Sequence, residues 1–536
     1  MSAPQRKQVV VKEKSILLMG PLAMLLVAAL FAVGCSGTDE PVQEEAEAPT
    51  RPDATREEAE LPTTQSNIIF VLADDLDLAS AQKMPGLRSL LVEEGASFER
   101  AFVSHPVCCP SRATILTGLY DHNHDVKSNL PPDGGFQKFV SEGHEESSIA
   151  VQLQKEGYRT ALFGKYLNGY TETDPTHVPS GWDEWYGKLD EQELYDYRIN
   201  ENGEIFFYGK GPENFFTDVL TRQATDFVRR AAPEDRPFFA YVAPTAPHSP
   251  ATPAERHEGA FADEEAPRPP SFNEEDVSDK PPPLGNAKRI SEEEISDIDA
   301  YHRQVLRSML AVDEMVASLV QELEAAGELD ETFIFFVSDN GWQGGEHRIR
   351  FGKNRPYEES VHVPFFVRGP GVPAGSKVER LALNTDLAPT FAALAGASFA
   401  SDGRSLAPLL LGEEPASWRS AVLLERFPRE ESGEEVSAKS KDKSKDKSKE
   451  ATTGPGGMPK GGVGGSPAFK AVRTESHKYV EYDNGETELY DLEADPYELD
   501  NVYESAGPSL VEDLKTKLDA LEDCAGEGCR EAEDAP

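Results

Sequence analysis

The chain is short of positive charge. Against 96 Asp and Glu it sets only 53 Lys and Arg in 536 residues, a formal net charge of −43. That deficit excludes a nucleic-acid binder working through a broad basic surface, and it repels polyanions at long range. A polyanionic ligand would need a local site. Cysteine is scarce too: the five residues Cys35, Cys108, Cys109, Cys524 and Cys529 are too few for a disulfide scaffold. Only one apolar run, Ile16 to Val33, is long enough to approach the thickness of a bilayer. Hydrophobic residues make up 38% of the chain, enough for a core yet low enough to imply polar appendages. The length suits two to four domains, or one large α/β domain with additions.

What is present begins with an export signal. Arg6, Lys7, Lys12 and Lys14 precede the apolar run, which ends Ala32-Val33-Gly34-Cys35-Ser36. This end resembles a bacterial lipobox, in which the cysteine is lipidated, although Ala32 stands where Leu is usual. A plain signal peptide and an uncleaved anchor are the alternatives. Each places the remainder outside the cytoplasm, in the periplasm, beyond the cell or on a membrane through a lipid on Cys35. Residues 1–35 are therefore read as the signal, and 36–65, acidic and proline-containing, as a disordered tether. Much of the negative charge lies in that tether and in 255–299 and 481–536.

From Asn67 the pattern is that of a folded domain. Ile68–Leu72 is a continuous apolar run, as in a strand buried on both faces, and similar runs recur at Arg159–Leu162, Pro237–Val242, Phe333–Val337 and Val363–Val367. Val305, Met309, Val312, Val316, Leu319 and Leu323 line one face of a helix. Strands alternating with helices predict an α/β fold with a large, mostly parallel central sheet. Ligands in such sheets gather at the carboxyl ends of the strands. The main domain is expected over 66–415 and a smaller α+β subdomain over 416–429 and 468–523. Within the latter, two strands flank Asn484-Gly485 and a helix runs from Pro508 to Leu521. Between its two parts, 430–467 is a Lys/Ser/Gly-rich insertion with six lysines from Lys439 to Lys449, read as disordered and solvated. Residues 524–536 are expected as a tail, with a short-loop disulfide between Cys524 and Cys529.

Two polar pairs stand at strand ends: Asp74-Asp75 after Ile68–Leu72, and Asp339-Asn340 after Phe333–Val337. Either alone reads as a turn or cap. Together they offer hard oxygen ligands suited to Ca²⁺ or Mg²⁺.

The most specific segment is Cys108-Cys109-Pro110-Ser111-Arg112-Ala113-Thr114-Ile115-Leu116-Thr117-Gly118. It resembles the signature C-x-P-S-R-x-x-x-L-T-G of the type I, formylglycine-dependent sulfatases of the alkaline phosphatase superfamily, with every fixed position present. The resemblance implies an alkaline-phosphatase-like fold and sulfuric ester hydrolysis. It implies that Cys108 is oxidised to formylglycine by a dedicated maturation enzyme. By the same resemblance Asp74, Asp75, Asp339 and Asn340, with Cys108, are metal ligands, for Ca²⁺ or alternatively Mg²⁺. Lys165 in Gly164-Lys165-Tyr166 and Lys353 contact sulfate, and His248 in Pro247-His248 faces the leaving group. Many arylsulfatases carry His two residues after the first lysine. Leu167 stands there, so Asn168 is taken as a substrate-binding candidate, together with His347 of Gly345-Glu346-His347. The doubled Cys108-Cys109, Asp121-His122-Asn123-His124, Val178-Pro179-Ser180-Gly181-Trp182 and Pro247-His248-Ser249-Pro250 point to the N-acetylglucosamine-6-sulfatase branch, hence to a sulfated saccharide substrate.

The chemistry explains the residue types. A formylglycine hydrate offers two hydroxyls: one attacks sulfur, and the other later loses its proton to expel sulfate. A cation lowers the pKa of the attacking hydroxyl, the lysines offset charge on the sulfate oxygens, and His248 protonates the leaving alcohol. If Ser111 onward is helical, Arg112 lies about one turn from Cys108 and can hydrogen-bond the diol. Two other readings stay open from sequence. One is a phosphodiesterase or phosphonate monoester hydrolase of the same superfamily. The other is an unmatured surface lipoprotein that binds glycans without turnover.

Overall fold

The computed structural model describes residues 65–172, 174–190, 192–428 and 466–535. The export signal, the Cys35 lipobox, nearly all of the tether and nearly all of the 430–467 insertion lie outside the described residues. Among the described residues no helix is long and apolar enough to cross a membrane.

Sixteen strands are described. In chain order they are β1 (Asn67–Ala73), β2 (Ala96–Phe98), β3 (Ala101–Phe102), β4 (Arg159–Gly164), β5 (Glu184–Lys188), β6 (Tyr197–Glu201), β7 (Glu204–Tyr208) and β8 (Phe238–Ala243). There follow β9 (Thr332–Ser338), β10 (Phe365–Arg368), β11 (Ser376–Val378), β12 (Ala382–Leu383), β13 (Ala421–Arg426), β14 (Phe469–Thr474), β15 (His477–Tyr482) and β16 (Thr487–Asp491). Ten of them form one sheet in the order β11-β2-β10-β9-β1-β8-β4-β5-β6-β7. Its middle, β9-β1-β8-β4-β5, is parallel throughout. The antiparallel pairs lie toward its margins.

The expected apolar runs are the central strands because both faces of the sheet are covered. Ile68, Phe70 and Leu72 of β1 face a core shared with helices Cys108–Thr117 and Leu387–Leu394. Ile69, Val71 and Ala73 face the opposite core, made with helices Phe216–Ala231 and Glu292–Ala326. Each large apolar side chain so buried contributes about 1.5–3 kcal/mol. The long helix carries the expected stripe. It starts at a capping box, Ser291 with Glu294, and stops at Gly327, whose φ of 76° suits a left-handed C-terminal cap.

The C-terminal sheet, β13-β14-β15-β16, packs helix Pro508–Leu521 into a third core. β13 pairs directly with β14, Arg426 opposite Phe469, so 430–467 connects two neighbouring strands. Residues 524–535 are not a loose tail. The Cys524–Cys529 disulfide forms as expected, and helix Glu527–Asp534 follows it. Glu533 is fully buried, where it accepts from Tyr120 Oη at 2.6 Å and pairs with Arg404 at 2.9 Å and Arg419 at 3.0 Å. Buried Arg419 and partly buried Arg404 hold this acidic terminus in the body of the fold.

Candidate active site

Four neighbouring strands, β9-β1-β8-β4, end along one edge, and each delivers polar residues just past its last position. β9 leads to Asp339 and Asn340, β1 to Asp74 and Asp75, β8 to His248, and β4 to Lys165. Main-chain bonds join these ends: Asp339 N–H donates to Ala73 O (3.1 Å), Asp74 N–H to Ala246 O (3.3 Å) and Lys165 N–H to Ala243 O (2.9 Å). Gly164 must be glycine. Its φ is +107°, and a Cβ there would stand 2.1 Å from the Ala243 carbonyl oxygen.

The signature segment arrives on a helix. That helix starts at Cys108 itself, three residues earlier than Ser111, and ends at Gly118, whose φ is 67°. Cys108 therefore lies where main-chain N–H groups lack helical partners and favour negative charge. Asn384 fixes the helix by donating to Ser111 Oγ at 3.1 Å. Arg112 lies one turn on, yet its bonds run elsewhere: Nε donates to Asp339 Oδ2 (2.8 Å) and Nη1 to the Lys165 carbonyl (3.0 Å). Its Nη2 is buried without a hydrogen-bond partner, 3.8 Å from Asp74 Oδ1.

The remaining contacts close the cluster. Lys165 Nζ donates to both Asp74 oxygens, at 3.0 and 2.8 Å. Lys353 Nζ contacts Asp75 Oδ1, Cys108 Sγ (2.8 Å) and Asn340 Oδ1 (3.3 Å). Asn340 Nδ2 donates to Asp75 Oδ1 at 2.8 Å, and Asp75 N–H to Asp339 Oδ1 at 3.1 Å. His248 Nδ1–H donates to the Ser249 carbonyl (2.8 Å), which turns Nε2 toward Asp75 Oδ2, 3.7 Å away. Ligating atoms of Asp74, Asp75, Cys108 and His248 all fall within 4.8 Å of one another.

Burial alone would raise the Asp74 carboxyl, but Lys165, then His248, Arg112 and Lys353, hold it well below its ordinary range. Asp75 behaves alike, with Lys353 the chief offset to burial. Burial pushes the Cys108 thiol up, despite Lys165 and Lys353. An unmodified Cys108 is thus a neutral thiol and a poor nucleophile. Three buried carboxylates and an amide form a hard-oxygen donor set, and the Lys353 ammonium already touches two of its members, Asp75 and Asn340. This acidic cluster fits a divalent cation. An anion fits above it, where Lys165, Lys353 and the unpartnered Arg112 Nη2 converge.

His347 does not join this group. Its side chain is fully buried between Glu274, which Nδ1 contacts at 2.7 Å, Glu359 and the Tyr357 ring. Burial among carboxylates removes it from any substrate. Asn168 is half-buried, and its carbonyl accepts from Phe136 N–H at 2.8 Å at the start of helix Gly135–Ser141. The Asp121–His124 segment is structural: His122 and Asn123 both bond the Cys524 carbonyl, and Asp121 lies between His105 and His124.

The family model described as Sulfatase matches residues 66–397. The chain belongs to the sulfatase family. Among relatives, an N-acetylglucosamine-6-sulfatase of Capra hircus is 34% identical over 87% of this chain and 84% of its own length. An N-acetylglucosamine-6-O-sulfatase of Bacteroides thetaiotaomicron is 27% identical over 83% and 84%. A solved structure titled as a complex with its substrate, D-glucosamine-2-N,6-O-disulfate, superposes with a TM-score of 0.68 at 24% identity, covering 88% of this chain and 99% of that one. The phosphonate monoester hydrolase of Agrobacterium radiobacter gives 0.63 at 23% identity, over 85% and 95%. Enzyme class, the alkaline-phosphatase-like fold and the branch of relatives all stand as the signature implied.

Sequence reading missed a buried lysine beside this edge of the sheet. Lys188 ends β5, and the register Gly164↔Gly187 sets it beside Lys165. It is buried, 3.3 Å from Thr245 Oγ1 and 4.2 Å above the Phe216 ring. Burial lowers its pKa to about 7, with Asp74 opposing and Lys165 adding to the fall. The signal was a second Gly-Lys pair, legible only once the two strands are known to be neighbours.

Proposed function

We propose that this sulfatase removes the 6-sulfate from a sulfated glucosamine, with Cys108 matured to formylglycine and Ca²⁺ held by Asp74, Asp75, Asp339 and Asn340. The observation that carries the reading is the cation-lined position above Cys108. Lys353 Nζ lies 2.8 Å from its sulfur, and Lys165 and Arg112 flank the same point. The named activity of relatives aligned over most of the chain supplies the sugar.

A formylglycine hydrate at position 108 would supply one hydroxyl as the nucleophile toward sulfur and a second through which sulfate could be released. The cation, when bound, lowers the pKa of the attacking hydroxyl and draws charge from a sulfate oxygen. The side chains of this chain do the rest. Arg112 Nη2 donates to the nucleophile, and its Nε holds Asp339 in place. Lys165 and Lys353 offset the charge that grows on the sulfate oxygens. His248, anchored through Nδ1, carries the proton for the leaving alcohol on Nε2. Asn168 faces the sugar where the arylsulfatase histidine is missing.

A maturation enzyme and export through residues 1–35, with a lipid on Cys35, complete the proposal. Surface charge favours a small sulfated sugar or a chain end over a long polyanion. Hydrolysis of glucosamine-6-sulfate and of a phosphate diester, assayed side by side at saturating Ca²⁺, tests it. Preference for the sulfate ester supports the reading. Preference for the diester returns the site to the phosphonate hydrolase alternative, whose fold it shares.

A further inference from the structure

Outside the catalytic cluster, a second group of ligating side chains converges at His347, Glu359 and Glu498. Their ligating atoms all lie within 4.8 Å of one another. His347 is 0% exposed and Glu498 1%. The imidazole is oriented as metal-bound histidines usually are: its Nδ1–H donates to the Glu274 carboxylate at 2.7 Å, so Nε2 presents a lone pair. The Tyr357 ring, 4.4 Å away, fixes its plane.

That lone pair points at another. His347 Nε2 and Glu359 Oε2 are 3.7 Å apart, both buried and neither with a hydrogen-bond partner. The gap is too long for a hydrogen bond. It is close to the separation of about 3.4 Å between two ligands on a tetrahedral ion with bonds of about 2.0–2.1 Å. Ser271 orients Glu359 through its other oxygen, at 3.2 Å. Lys478 and the Glu358 N–H each bond one oxygen of Glu498, at 2.7 and 2.8 Å. Each of those oxygens keeps a second lone pair. Lys280 neutralises Glu274 at 3.1 Å, while Glu359 has no Lys or Arg partner among the described residues.

We propose that His347, Glu359 and Glu498 bind a structural zinc ion, separate from the catalytic cation. One imidazole and two carboxylates favour zinc over calcium. The ion would link the segment 346–359, which carries Lys353, to the loop before helix Pro508–Leu521 that holds Glu498. The inference does not depend on the proposed substrate.

The test uses the full chain, loaded with zinc chloride, dialysed, and measured for zinc per chain by plasma mass spectrometry. Asp75→Asn, which disables the catalytic cluster, should retain the ion. His347→Gln and Glu359→Gln should each hold one zinc fewer than the unaltered chain. Equal zinc in all four proteins overturns the proposal, as does zinc lost from Asp75→Asn alone. Crystals of the unaltered protein grown with zinc settle the case if a variant fails to fold. An anomalous peak at the zinc edge within bonding distance of His347 Nε2 is expected, and density there without anomalous signal contradicts it.

Discussion

Lys353 Nζ lies 2.8 Å from Cys108 Sγ, although the two residues are 245 positions apart. The same ammonium contacts Asp75 and Asn340, so one side chain links the nucleophile position to the proposed cation ligands. Lys353→Ala should lower kcat by about 10²–10³, the usual cost of losing one charge-stabilising donor. Lys353→Arg should not restore it, because a planar fork does not reproduce three contacts made from one point. Steady-state kinetics on a sulfated glucosamine checks both.

The proposed catalytic role of Arg112 is joined to a structural one. Removing it leaves Asp339 buried beside Asp74 without its main counter-charge. Arg112→Ala should therefore lose about 3–5 kcal/mol of stability besides activity, as when one partner of a buried ion pair is removed. Urea unfolding at neutral pH measures the first loss, and turnover the second.

Asp121 tests the structural side of the fold. Burial opposes its charge, but His105 and His124 outweigh burial and hold its carboxyl below the ordinary value. A depressed carboxyl gives stability that is present above the unfolded pKa, near 4, and is lost as pH falls. Asp121→Asn should be destabilised at neutral pH and show a flatter acid limb. Thermal unfolding between pH 3 and 7 gives the comparison.

Lys188 works in the opposite sense. Its pKa of about 7 lies far below the unfolded value near 10.5, so the native state binds fewer protons between those limits and stability rises with pH across them. Lys188→Met removes that titration. Its Tm should exceed that of the unaltered protein most at pH 7 and least near pH 10.

The sequence made the central strands, the long helix and the strand-end acids readable, because runs covered on both faces are apolar and ligands gather at strand ends. Cys108, Asp74, Asp75, Asp339, Asn340, Lys165, Lys353 and His248 lie together at the strand ends. What stayed hidden depended on tertiary neighbours. His347 looked like a site residue by its position in Gly345-Glu346-His347, yet the chain turns its ring into a buried cluster of carboxylates. Lys188 stands beside Lys165 only because β4 and β5 are neighbours, a pairing between segments separated in the chain. The burial of Glu533 depends on Arg404 and Arg419, which are distant from it in sequence.

Chelation separates the cation from the rest of the machinery. Dialysis against a calcium chelator should abolish turnover, and Ca²⁺ should restore it. Asp75→Asn should not recover at any Ca²⁺ concentration, because it loses a ligand that also positions Lys353 and Asn340. Activity assays before and after calcium addition decide this.

In the proposed mechanism Cys108 becomes the nucleophile by oxidation. Mass spectrometry of the peptide spanning Cys108, taken from catalytically active protein, tests it most directly. A peptide about 18 Da lighter than the cysteine form is expected, as conversion of the thiol to an aldehyde requires. An unmodified, alkylatable thiol in fully active protein would contradict it.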